Sequence, residues 1–249
     1  MTIVGVVAAL ASPVLVGAFQ KSKVGPSLRK FMNTIETANE HILGDNEADQ
    51  ISNVATNESE YFTLLSKYVS GAPAKITKDV EKTDEEGNPK TEKETTLKTL
   101  EDISISITNA TTASTAGANA NLPNKTSVIY TMSDGAEFAV KYEFEIYMQG
   151  NKNEAQGGYK GKRATMYYDI NGFEVGPNKV GKDIFWFILD DNGTLIPNGG
   201  KTYASAYGKE VVWNKSLTRC DETGIGAAGA ARFCSGSIAD NNWKVIYKY

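Results

Sequence analysis

The chain has 249 residues, of which 41% are hydrophobic and 22% charged, and carries a formal net charge of −4. That length and composition support one good-sized globular core and exclude fibrous, disordered and solenoid classes. The mild charge excludes a polyanion-binding protein and a polybasic membrane contact, so no direct nucleic-acid partner is expected.

Residues 1–19 (MTIVGVVAALASPVLVGAF) hold no charged side chain, and the first charge is Lys21. About 20 apolar residues of helix cross a hydrocarbon layer, so residues 1–20 are a candidate membrane segment. A secretory signal peptide, with Ala9-Leu10-Ala11 as its cleavage site, needs a basic start that Met1-Thr2 does not provide. A buried core helix is disfavoured by Pro13 in mid-run and by the lack of a polar face. A simple membrane anchor and a filament-forming stalk remain. Beyond the run, Val24, Leu28, Phe31, Met32, Ile35, Ala38 and Ile42 recur at three- and four-residue steps, the spacing of one apolar helix face. Lys23, Arg29, Lys30, Asn33, Glu36 and Asn39 fall mostly on the other side. The spacing predicts one rod over 1–44, apolar in 1–20 and amphipathic in 21–44, with a bend at Gly25-Pro26 and an end at the turn-forming Gly44-Asp45-Asn46.

The run Gly5-Val6-Val7-Ala8-Ala9-Leu10-Ala11-Ser12-Pro13, followed by Phe19-Gln20-Lys21, resembles the N-terminal helix of type IV pilins and type II secretion pseudopilins. In that family a short basic leader ending in Gly precedes a Phe-Thr-Leu-x-Glu start, an apolar stretch and a proline. Aligning Pro13 with that proline places Met1 inside the mature segment, which leaves the leader and the family's Glu to be found upstream. The resemblance implies a long helix packed against an antiparallel sheet in an α+β head, here residues 45–249. It also implies a structural role: a major or minor subunit of a pilus or pseudopilus, held in a bacterial inner membrane before it joins an extracytoplasmic filament. Its partners would be copies of itself, other pilin-like subunits and the assembly machinery. Gly5, Ala8, Ala9, Leu10, Pro13, Val14 and Gly17 would line the helix–helix contacts, where small residues permit close approach. The alternative is a single-pass anchored, extracytoplasmic binding protein that never polymerises.

In the head, Ile51, Val54 and Ala55 predict a short helix. Tyr61, Phe62, Leu64, Leu65, Tyr68 and Val69 predict a stronger one, with Asn57, Glu58 and Glu60 at its start and Ser70-Gly71 at its end. Residues 75–98 are dense in charges of both signs around Gly87-Asn88-Pro89, which predicts a solvated loop or projecting hairpin. Ile103, Ile105 and Ile107 alternate with polar residues and predict a half-buried strand. Residues 109–124 read as a surface loop. Val128–Met132 and Ala136–Tyr147 predict a hairpin through Ser133-Asp134-Gly135, with one face packed on the rod and one in water. Met166, Tyr168 and Ile170 open another strand, and Ile184–Leu189, apolar on both faces, predicts a central one. The pattern from Asp169 to Phe185 and the tail Asn242–Tyr247 also resemble the pilin-like head, where that tail would be a closing strand.

No Ser/His/Asp order, Cys/His pair or zinc spacing is present, and the only histidine, His41, falls on the exposed side of the rod, so no enzyme activity is expected. Cys220 and Cys234 bound a loop that a disulfide would close in an oxidising compartment, and remain two thiols in a reducing one. Some pseudopilins bind calcium in the head, which makes Asp169, Asn171, Asp183 and Asp190 candidate ligands. Neither Asp169-x-Asn171-Gly172 nor Asp190-Asp191-Asn192-Gly193 continues as an EF-hand loop, and turn chemistry alone accounts for both. No other cofactor is expected.

Overall fold

A computed structural model describes residues 3–105, 107, 126–146, 162–176, 178–199, 220–221, 224–225 and 231–247, with side chains from residue 21 on and excepting those of 141–146, 162–163, 221, 224–225 and 232. The fold is α+β: a long N-terminal helix lies across one face of a six-stranded antiparallel sheet.

Helix α1 spans Ile3–Asp45 without interruption. The helix continues through Gly25-Pro26, the position at which the sequence predicts a bend. Val24, Leu28, Phe31, Ile35, Ala38 and Ile42 are all buried, so the four-three spacing becomes a continuous stripe against the sheet. Burying each of the larger side chains contributes about 1.5–3 kcal/mol. Phe31 is the central contact: its ring stacks on Tyr168 at 4.0 Å and meets Phe138 and Phe187 at 5.4 Å each. The expected roles of Gly5, Ala8, Ala9, Leu10, Pro13, Val14 and Gly17 fall outside the described side chains. Among the residues whose side chains are described, from residue 21 on, no helix is long and apolar enough to cross a membrane.

Helices α2 (Ile51–Val54) and α3 (Glu58–Leu65) follow. Asn57 caps α3 by accepting from the Glu60 amide, and the Glu60 carboxylate accepts in return from the Thr56 amide. The helix stops at Leu65 rather than running to Val69. Ser66 Oγ donates to the Phe62 carbonyl at 2.7 Å, a side-chain bond that competes with helix continuation, and Val69 stays buried beyond the end.

The sheet runs in the order β1 (Gly71–Pro73), β4 (Ile129–Met132), β5 (Glu137–Ile146), β6 (Lys162–Asp169), β7 (Ile184–Asp190), β8 (Leu195–Pro197). Strands β4 to β8 form an antiparallel meander, and β7 is interior and buried over Ile184–Leu189, as its unbroken apolar run predicts. Strands β2 (Lys75–Thr83) and β3 (Pro89–Leu97) pair only with each other, in the projecting hairpin predicted for the charged segment. Strands β9 (Cys220–Asp221) and β10 (Gly224–Ile225) make a minimal ribbon. Helix α4 (Cys234–Asp240) starts at the second cysteine of the disulfide that joins Cys220 to Cys234.

Three expectations are corrected. The second face of the sheet does not meet water where it is described. Ile129, Ala139, Tyr167, Ile184 and Trp186 point away from α1 into a second core with Leu100, Ile107, Phe173, Val180 and Ala231. Residues 103–105 and 107 are not in a strand, although Ile103 and Ile105 are half-buried and Ile107 is buried. Their backbone is engaged by side chains instead of a ladder: the Ser104 amide donates to the Glu174 carboxylate and the Ile105 carbonyl accepts from Asn178 Nδ2. The tail 242–247 is likewise no strand. Asn242 and Trp243 have φ of 54° and 60°, a left-handed step that carries the chain across α1 at Gly25. A Cβ on Gly25 would lie 1.7 Å from the Trp243 carbonyl oxygen, so only glycine admits this crossing.

Candidate functional site

Asp169 ends β6 and pairs in register with Ile184, the first residue of β7, so Asp183 lies beside it. The segment 170–183 loops out and returns between them, closed by the Ile170 amide on the Asp183 carbonyl at 3.0 Å. Asp169 Oδ1 accepts from the amides of Asn171 and Gly172, and Asp183 Oδ1 accepts from the Lys179 amide. Each aspartate therefore clamps one end of the loop as a local turn former. Asn171 Nδ2 donates to the Val175 carbonyl, and Asn178 Nδ2 to those of Phe173 and Ile105. Glu137 on β5 accepts from the Phe173 amide at 2.8 Å and from Thr131 Oγ1 at 2.9 Å.

Both aspartates are removed from water, Asp169 completely. Burial is the main force raising the Asp169 carboxyl to about 8, helped by the nearby charges of Asp183 and Glu137 and opposed by the two amide bonds. Burial also raises Asp183, against the Lys179 amide. Asp169 Oδ2, Asp183 Oδ2 and Asn171 Oδ1 are buried without hydrogen-bond partners, and such atoms in a native fold call for an explanation.

Of the four calcium candidates, the structure brings Asp169, Asn171 and Asp183 to one loop and leaves Asp190 at the far end of β7, roughly 20 Å away by strand rise. The three unpartnered atoms are hard oxygens, the right type for calcium, but calcium takes six to eight. Among the described residues no three His, Cys, Asp or Glu side chains gather as metal ligands. The cage suits calcium in donor type and falls short in donor number. No family model matches the chain, and no curated protein or solved structure matches it either.

The second aspartate turn does something else. Asp191 Oδ1 and Oδ2 accept from the Ser52 amide and hydroxyl, both at 2.8 Å, and its carbonyl accepts from the Ile51 amide, which holds α2 to the β7–β8 turn. The Glu36 carboxylate on α1 accepts from the Leu195 amide. Asn39, placed by its spacing on the polar side, is fully buried: Nδ2 donates to the Gly193 carbonyl at 2.8 Å and Oδ1 accepts from Tyr61 Oη at 3.0 Å. Its position beside Ala38, four after Ile35 and three before Ile42, was the available signal, because it borders the apolar stripe. His41 is exposed and stacks on Tyr68 at 5.3 Å, away from both aspartate turns.

Cys220 and Cys234 are disulfide-bonded with Cα atoms 5.1 Å apart, within the usual span. On the loop-closure model a link of this separation contributes on the order of 3 kcal/mol. A groove of about 720 Å³ runs along α1, lined by Pro26, Arg29, Lys30, Asn33, Trp243 and Lys244 among others.

Proposed function

We propose that this chain is a structural subunit of a type IV pilus or type II secretion-like filament, with a pilin-like fold and no enzymatic role. The observation that carries the reading is the continuous helix Ile3–Asp45: it bears no charge before Lys21, and from Val24 onward its apolar stripe is packed into the head. At 1.5 Å per residue such a rod is about 65 Å long. An uncharged apolar helix is stable in lipid or against other apolar helices, and small residues such as Gly5, Ala8 and Gly17 suit the second. The subunit resides in the bacterial inner membrane through residues 1–20 and then passes into an extracytoplasmic filament built from copies of itself and related subunits. The disulfide is of the kind found in oxidising compartments, which supports a head outside the cytoplasm.

The test compares the full chain with a version lacking residues 1–20. After detergent removal the full chain is expected to form sedimenting filaments visible by electron microscopy, and the shortened chain to stay a folded monomer. A full chain that remains a stable monomer in plain buffer overturns the proposal.

A further inference from the structure

Charge is segregated along the first 66 residues. Residues 1–35 contain Lys21, Lys23, Arg29 and Lys30 and no acid, whereas residues 31–66 contain Glu36, Glu40, Asp45, Glu47, Asp49, Glu58 and Glu60 and no Lys or Arg. The basic end is shaped: Arg29, Lys30 and Lys244 line the groove of about 720 Å³ that the tail makes by crossing α1 at Gly25. Arg29 and Lys244 are exposed, and Lys30, although ion-paired with Asp134 at 2.7 Å, keeps 64% of its side chain in water. The acidic end is exposed as well, at Glu40, Asp45, Glu47 and Asp49. From Arg29 to Asp45 the rod rises about 24 Å.

We propose that the groove receives the acidic end of α1 from a second copy of this chain, parallel to the first and displaced by about 24 Å along the rod. This inference rests on the filament reading and names the contact between successive heads. The occupant is a second copy because the chain itself carries the complement: an acidic stretch that begins on the same rod at Glu36 and continues just past its end to Glu47 and Asp49, offset from the basic one along its axis. Parallel copies sharing one layer of apolar helices meet in this stagger, with unlike charges adjacent, while unstaggered copies place basic beside basic and acidic beside acidic. Complementary surface charge of this kind fixes register and speeds encounter. The contact is exposed, so it weakens as salt rises.

The test uses the full chain in four forms: wild type, R29E/K244E, E40K/E47K, and an equimolar mixture of the two double variants. All four positions are exposed, so each variant is expected to melt as wild type does. Each double variant alone is expected to raise the concentration needed for assembly at least about tenfold, since like charges then face each other. The mixture is expected to restore assembly, because each variant's groove then meets the opposite charge on its neighbour. Assembly of both variants at the wild-type concentration overturns this inference and leaves the filament reading standing. So does a mixture that fails to recover, or an R29E/K244E defect confined to flotation with phosphatidylglycerol vesicles, which would assign the groove to anionic lipid. A wild type that does not assemble at all overturns the filament reading and this contact together.

Discussion

Asp169 carries the strongest electrostatic signature among the described residues. Its carboxyl titrates at about 8 in the native loop and near 3.9 in an unfolded chain. Below both values the group is protonated in either state and favours neither. Between them the unfolded chain has lost the proton and the native chain has kept it, so stability falls as pH rises from about 4 to about 8 and then levels off. Asp183, also raised by burial, adds to the same trend. Asp169→Asn mimics the protonated form: Oδ1 can still accept from the Asn171 and Gly172 amides, and the ionisation is gone. In chelator at pH 8 this variant is expected to be more stable than wild type by on the order of 5 kcal/mol, with the difference vanishing near pH 4. Urea melts at the two pH values measure it. Added calcium is expected to leave the wild-type midpoint unchanged, since the side-chain donors are too few. A rise with calcium that Asp169→Asn abolishes would mean that loop carbonyls complete the shell.

At the scale of elements, one of the polar contacts that join α1 to the head, at Asn39, is only partly legible from spacing. Asn39 links the β7–β8 turn to α3 through Gly193 and Tyr61. Asn39→Ala removes both bonds inside a buried site and is expected to cost about 2–4 kcal/mol, since each buried group left without its partner costs roughly 1–3. A thermal or urea midpoint within 0.5 kcal/mol of wild type would show that water replaces both bonds. What could be seen in the sequence were the features set by local periodicity: the stripe from Val24 to Ile42, the β4–β5 hairpin and the doubly apolar β7. What could not be seen was set by distant side chains. The Ile103–Ile107 alternation has the period of a strand and yields none, because Glu174 and Asn178 engage that backbone first. The resemblance implies a strand for the tail, whereas its left-handed Asn242-Trp243 step goes with the crossing at Gly25. Asp169 and Asp183 are 14 positions apart, and only the β6–β7 register makes them neighbours.

Over the whole described molecule, two cores share one sheet, and the β2–β3 hairpin belongs to neither. Its paired residues are mostly exposed on both faces, with Ile76, Val80, Glu92 and Thr96 only half-buried. The ion pairs of Glu92, across the ladder with Lys82 at 3.3 Å and along its own strand with Lys90 at 3.0 Å, are solvent-exposed, and pairs of that kind contribute about 0–1 kcal/mol each. A two-stranded ribbon with no covered face is marginal by itself in water. What ties it down is at its base: the Lys98 amide on the Ala74 carbonyl at 2.8 Å, and the ion pair of Lys78 with Asp102. The hairpin should therefore open locally while the sheet stays closed. Amide exchange measured by NMR on the native protein is expected to be on the order of a thousandfold faster for the ladder amides of Lys75–Leu97 than for those of β6 and β7. Deleting residues 78–94 and closing the gap with a short turn is expected to shift the midpoint of the remaining fold by less than about 1 kcal/mol, because no member of either core is removed. Equal protection of hairpin and sheet would instead place the ribbon inside the cooperative unit, held by contacts stronger than those its exposed charges and two basal ties supply.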